Sequence, residues 1–121
     1  MTKAGAIYNF WNRFLTAFEE NTVPTDAEFP YITYQFVSDS LGKDVLLTAK
    51  MHYRSESWTQ INAKADEISK YINNIKKPID FDKGKIWIKQ GTFRYTGMGD
   101  PDDNMIRINY MTVEAEYLSA Y

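Results

Sequence analysis

Apolar residues change their spacing along this chain, and each change marks a new element. Ile7, Phe10, Trp11, Phe14, Leu15 and Phe18 recur at three- and four-residue steps. That spacing puts them on one stripe of a helix over residues 5–19. Asn9, Asn12, Arg13 and Glu19 take the other side, and Pro24 ends the helical region by restricting its predecessor and lacking an amide proton. From Tyr31 the period becomes two, with Ile32, Tyr34 and Phe36 opposite Tyr31, Thr33 and Gln35, which predicts a strand over residues 31–37. Turn-forming residues fill positions 38–43, including Gly42. A second alternating run then starts at Asp44, with Val45, Leu47, Ala49, Met51 and Tyr53 on one side and Leu46, Thr48, Lys50, His52 and Arg54 on the other. Two such runs around a glycine-containing loop read as a hairpin.

Ser57 followed by Gln60 fits a capping box, and behind it Trp58, Ile61, Ala65, Ile68, Ile72 and Ile75 form a helical stripe. Asn73 and Asn74 weaken its end and Pro78 stops it. Two further strands are expected over residues 85–93, where Ile86 and Ile88 oppose Trp87, and over residues 105–117. The order αββαββ predicts an α+β fold, a mainly antiparallel four-stranded sheet with two helices packed on it, in a single domain spanning residues 1–121. The last strand changes phase. Ile106, Ile108 and Tyr110 share one face while Met111, Val113, Ala115 and Tyr117 share the other. Either a bulge re-aims the strand, or both of its faces are covered, the second by a neighbouring subunit.

Composition narrows the function classes. With 121 residues, 44% hydrophobic and 25% charged, the chain can build its own core. It has no cysteine, which excludes disulfides and thiolate metal sites. Aromatic residues reach 16%, with three Trp, nine Tyr and seven Phe, a surplus that points to interfaces. A net charge of −2 lacks the basic footprint of a dedicated nucleic-acid binder. No run approaches the roughly 20 apolar residues of a membrane span, and Asn9, Asn12 and Arg13 interrupt any signal-peptide core. Cytoplasmic synthesis without a membrane partner is therefore expected.

Catalytic chemistry is thin. His52 is the sole histidine and lies mid-strand between Lys50 and Arg54, so a nucleophile–base pair would depend on it alone, and zinc lacks ligands. Asp100, Asp102 and Asn104 have the alternate spacing of a calcium loop, but Met105 and Met111 stand where its glycine and bidentate glutamate belong. A turn held by Asp and Pro is the expected reading. Lys85, Trp87 and Lys89 share a strand face, which in a single-stranded nucleic-acid module would stack on a base. No catalytic, metal or cofactor residues are assigned, and the chain is not expected to be an enzyme.

Several residue strings carry a resemblance. Val23-Pro24 and an acidic loop lead to Phe29-Pro30-Tyr31-Ile32-Thr33-Tyr34. Tyr53-Arg54-Ser55-Glu56-Ser57-Trp58 opens the second helix, and Asp100-Pro101-Asp102-Asp103-Asn104-Met105-Ile106-Arg107 precedes the last strand. In order and spacing, from about Ile7 to Tyr117, they resemble the tail-terminator and tail-completion (head-tail joining) proteins of long-tailed phages. The resemblance implies a structural virion subunit, made in the bacterial host cytoplasm. It would assemble into a ring, typically a hexamer, at the head-proximal end of the tail tube, ending tube polymerisation and joining tail to head. Its partners would be further copies of itself, the tail tube protein and head connector proteins, with DNA passing through without specific binding. Tyr110, Met111, Val113 and Tyr117 of the last strand, with Trp87, are the candidate subunit-interface residues. A head-completion or connector subunit is the alternative, ahead of the nucleic-acid module.

Overall fold

The computed structural model describes residues 1–36 and 44–119. It contains two helices, α1 (Lys3–Asn12) and α2 (Thr59–Asn73), and seven strands. These are β1 (Ala17–Glu19), β2 (Tyr31–Tyr34), β3 (Asp44–Arg54), β4 (Ile79–Phe81), β5 (Gly84–Ile88), β6 (Arg94–Gly99) and β7 (Ile106–Ser119). All join one sheet in the order β1-β2-β3-β7-β5-β4. On the edge of β7 away from β3, β5 takes one end and β6 the other. β1 runs parallel to β2 and every other pair is antiparallel, so the sheet is mixed. α1 packs on β1 and β2 at one end of this order and on β4 at the other, so the sheet curls around it.

The class is α+β with two helices, as expected, but the order is αβββαββββ and the sheet has seven strands where four were expected. Three further strands, β1, β4 and β6, account for the difference. α1 ends at Asn12, not near residue 19, because the Asn12 side chain turns back and accepts the Ala17 amide at 3.0 Å, releasing Ala17–Glu19 to pair with β2. Phe18 therefore continued the helical spacing by coincidence. β4 follows Pro78 with only three residues. The expected strand over residues 85–93 is β5 alone. The chain then reverses through Gly91, at φ +78°, a left-handed conformation suited to glycine, whose amide donates to Asn73 Oδ1 at 3.1 Å. β6 follows, exposed along its whole length and containing two glycines, so it gave no period to read.

The β2–β3 pairing agrees with the expected hairpin, while Val37 and the turn at residues 38–43 lie outside the described residues. Ser57 does serve the start of α2, its hydroxyl accepting the Thr59 amide at 3.0 Å. The N-cap residue is Trp58, and the capping box with Gln60 does not form.

Ile7, Phe10 and Trp11 of α1 and Ile61, Ala65, Ile68 and Ile72 of α2 share one buried cluster with Val45, Leu47, Ala49 and Met51 of β3 and Met111, Val113, Ala115 and Tyr117 of β7. Both helices thus cover the same face of the sheet, where each large apolar side chain contributes about 1.5–3 kcal/mol by leaving water.

Candidate interaction surface

The face away from the helices is set by the β3–β7 ladder. Its register runs unbroken from Asp44 opposite Glu116 to Arg54 opposite Ile106. An uninterrupted register contains no bulge, which removes that explanation for the phase change in the last strand. Odd-numbered residues of β7 point toward the helices throughout. Beyond Tyr110 they are the apolar Met111, Val113, Ala115 and Tyr117, and before it they are Arg107 and Asn109. These two are accommodated under the start of α2. Arg107 donates to the carbonyls of Asn104 at 2.6 Å and Glu56 at 3.0 Å, and its guanidinium lies over the Trp58 ring at 5.3 Å. Asn109 Nδ2 donates to Asn62 Oδ1 at 3.4 Å. Ile106, Ile108 and Tyr110 consequently stand on the open face, half-buried, with neither α1 nor α2 over them.

Met111, Val113 and Tyr117 are each 0% exposed inside the subunit's own core, so another chain does not reach them in this fold. Trp87 and Tyr110 lie on the open face, half-buried. The structure therefore separates the candidate interface residues into a core set and a surface pair. It adds neighbours that the sequence reading did not single out. Registers across β2, β3, β7 and β6 align Tyr31, His52, Ile108 and Met98 in one row, with Met98 40% exposed. Leu46, in the polar row of β3, is 49% exposed, and a leucine at that position was the available signal.

The open face is aromatic near β1 and charged near β5. Tyr31 stacks on His52 with centroids 4.7 Å apart and planes 15° from parallel, and Phe18 and Phe29 meet Tyr31 at 5.9 and 5.2 Å. His52 Nε2 is 2.9 Å from Thr33 Oγ1. Burial, reinforced by the Lys50 ammonium, lowers the His52 pKa from 6.5 to about 4, against weaker opposing effects of Asp100 and Glu20. The ring is thus neutral at pH 7. The adjoining recess, lined by Glu20, Thr33, Gln35, Thr48, Ala49, Lys50 and Tyr110, has a volume of ≈80 Å³. Ligand sites usually occupy roughly 300–1,000 Å³. The recess beside Thr33 is smaller than such a site.

Near β5, Lys85 pairs with Asp80 at 2.6 Å and Lys89 with Asp44 at 2.7 Å. The hydrogen bond that Lys89 donates to the Asp44 carboxylate raises the Lys89 pKa. Glu116 stands directly across the ladder from Trp87. The cations flanking Trp87 are thus each paired with a carboxylate. In the acidic turn, Asp100 accepts the Asp102 amide at 2.8 Å, while Asp103 accepts the Met105 amide at 2.9 Å and pairs with Arg54 at 2.8 Å. Those contacts, the Met105 amide first, lower the Asp103 pKa. Its carboxylates close the turn and anchor it to β3. Among the described residues no group of three or more His, Cys, Asp or Glu is placed to hold a metal ion, and no helix is long and apolar enough to cross a membrane.

No protein-family model matches the chain, and no curated protein matches it. Its fold does have a counterpart. A chain in the solved structure of the virion of a native gene transfer agent particle superposes with a TM-score of 0.65, over 96% of this chain and 94% of that one. At 12% identity, what the two chains share is the fold.

Proposed function

We propose that this chain is a non-enzymatic structural subunit of a phage-like virion, working at the head–tail junction in the manner of a tail terminator. It associates with copies of itself into a ring at the head-proximal end of the tail tube, stops tube polymerisation and offers a surface to the head. The observation that carries this reading is the end-to-end fold likeness to a chain of a gene transfer agent virion, covering 96% and 94% of the two chains. The particle is a multi-protein assembly, and a domain with the same architecture throughout is suited to the same kind of place. The open sheet face supports it further, since Trp87, Tyr110, Ile108 and Leu46 present apolar area that neither α1 nor α2 covers.

The test is mass in solution by light scattering on a sizing column, over a range of protein concentrations at two salt levels, followed by electron microscopy of the protein mixed with tail tubes. A discrete ring of about six subunits that caps tube ends is the expected outcome. Tubes that grow past the added protein would refute the terminator role, and capture by assembled heads instead would move the chain to the connector side of the junction.

A further inference from the structure

Among the described residues, exposed charges of opposite sign that form no ion pair gather at two edges of the sheet. On the β1–β2 side, residues 14–36 contain Glu19, Glu20, Asp26 and Glu28 and no lysine or arginine. All four carboxylates are exposed, and among the described residues none forms an ion pair. On the other side, from the end of α2 through the β4–β5 turn, Lys70, Lys76, Lys77 and Lys83 are exposed and likewise form no ion pair among the described residues. The carboxylates nearest in sequence to Lys76, Lys77 and Lys83 are Asp80 and Asp82, which are engaged by Lys85 and by the N-terminal ammonium. β1 and β4 are the two terminal strands of the sheet order.

The two edges also differ in shape. The basic edge carries two clefts with apolar floors and lysine rims. One of ≈340 Å³ is lined by Phe81 with Thr2, Lys3, Lys83 and Asp82, the last already paired with the N-terminal ammonium, and another of ≈380 Å³ is lined by Tyr71, Asn74 and Ile75 with Lys76 and Lys77. The acidic edge has apolar side chains set among its carboxylates: Phe29 follows Glu28 in sequence, and Phe36, at 37% exposed, ends the described part of that edge. An apolar floor ringed by ammonium groups fits an apolar segment flanked by carboxylates. Backbone pairing is not the means of contact, because the outer side of β1 is partly occupied, Asn12 taking the Ala17 amide and Thr22 the Glu19 carbonyl.

We infer that the partner of the lysine-rimmed β4–β5 edge is a second copy of this chain, which docks its acidic β1–β2 edge there. The inference rests on the self-association proposed above and assigns the surfaces that make it. The contact joins unlike patches, so it runs head to tail. Such a contact closes into a ring when the rotation between copies permits. Exposed charges of this kind set encounter rate and register more than depth of affinity, and salt screens them over about 8 Å at physiological ionic strength.

The test uses the full chain with two charge reversals, Lys76→Glu/Lys77→Glu/Lys83→Glu and Glu20→Lys/Asp26→Lys/Glu28→Lys, each checked for folding by circular dichroism and thermal melting. All six sites are exposed, so both variants are expected to fold. Each alone should self-associate at least about tenfold more weakly than the wild type, and an equimolar mixture should regain mass. Raising salt should weaken the wild-type assembly. A wild-type ring that both variants reproduce, or variants that lose association without recovering it on mixing, overturns the edge assignment and leaves the ring proposal standing. A wild type that stays monomeric at high concentration and low salt overturns both.

Discussion

The β3–β7 ladder presents two surfaces that differ in kind although they share one backbone. Toward the helices, Val45 faces Ala115, Leu47 faces Val113 and Ala49 faces Met111, all between 0% and 6% exposed. Away from them, Lys50 faces Tyr110 and His52 faces Ile108, each half-buried. The first set is matched in size and held between two layers, so it determines whether the subunit folds. The second touches water as well as its neighbours, and changes there leave the core intact. Apolar character alone therefore does not separate core from surface in this chain; the face on which it falls does.

The largest expected effect comes from placing charge on the covered face. Val113→Asp buries an unpaired carboxylate and should cost at least about 3 kcal/mol, read as a lowered urea midpoint or outright unfolding. A soluble, fully folded Val113→Asp protein would break the division of faces. Gly84→Ala should follow, because a Cβ at that position would lie 2.0 Å from the Leu118 carbonyl oxygen and force β5 away from β7. A loss of about 1–3 kcal/mol by chemical denaturation is expected, and an unchanged midpoint would mean that the β5–β7 approach is not tight.

A pH titration sharpens the contrast from the other face. The imidazole of His52 takes its proton near pH 6.5 when unfolded and only near pH 4 when folded. Between those values the unfolded chain binds more protons, so folding stability should fall as the pH drops through that window and recover as it rises. His52→Gln should flatten that part of the stability profile, and a profile unchanged by the substitution would show that the ring is more open to water than its stacking on Tyr31 implies. The smallest effect on folding belongs to Ile108→Thr, expected to shift stability by less than about 1 kcal/mol because the side chain keeps its β-branched shape and is only half-buried. Its consequence should show in self-association, measured by the same light scattering. A large loss of stability would mean that the open face also carries the fold.

Much of this division was legible in the sequence. The period-two pattern over residues 44–54 separated core from open side on β3 correctly, and the isoleucine stripe of α2 identified its buried face, because long elements repeat their period often enough to be read. The short strands escaped. β1, with three residues, extended a helical stripe by chance, β4 is as short, and β6 is exposed along its length. The interface candidates were drawn from a real feature, the phase change near Tyr110, but a strand's apolar residues do not say which side the helices take. Met111, Val113 and Tyr117 went to the core, Trp87 and Tyr110 to the open face.

By itself the sequence determined that this is an α+β domain with two amphipathic helices and alternating strands, and that cysteine chemistry plays no part, because these follow from local periodicity and residue inventory. Tertiary structure alone decided that both helices cover the same face, that β7 runs straight through its change of phase, and that Lys89 beside Trp87 is matched by a carboxylate distant in the chain, Asp44. The opposition of acidic and basic edges likewise depends on strand order, which places β1 and β4 at the two ends of one sheet. Each of these depends on pairings between distant segments, and a one-dimensional pattern does not encode which segments meet.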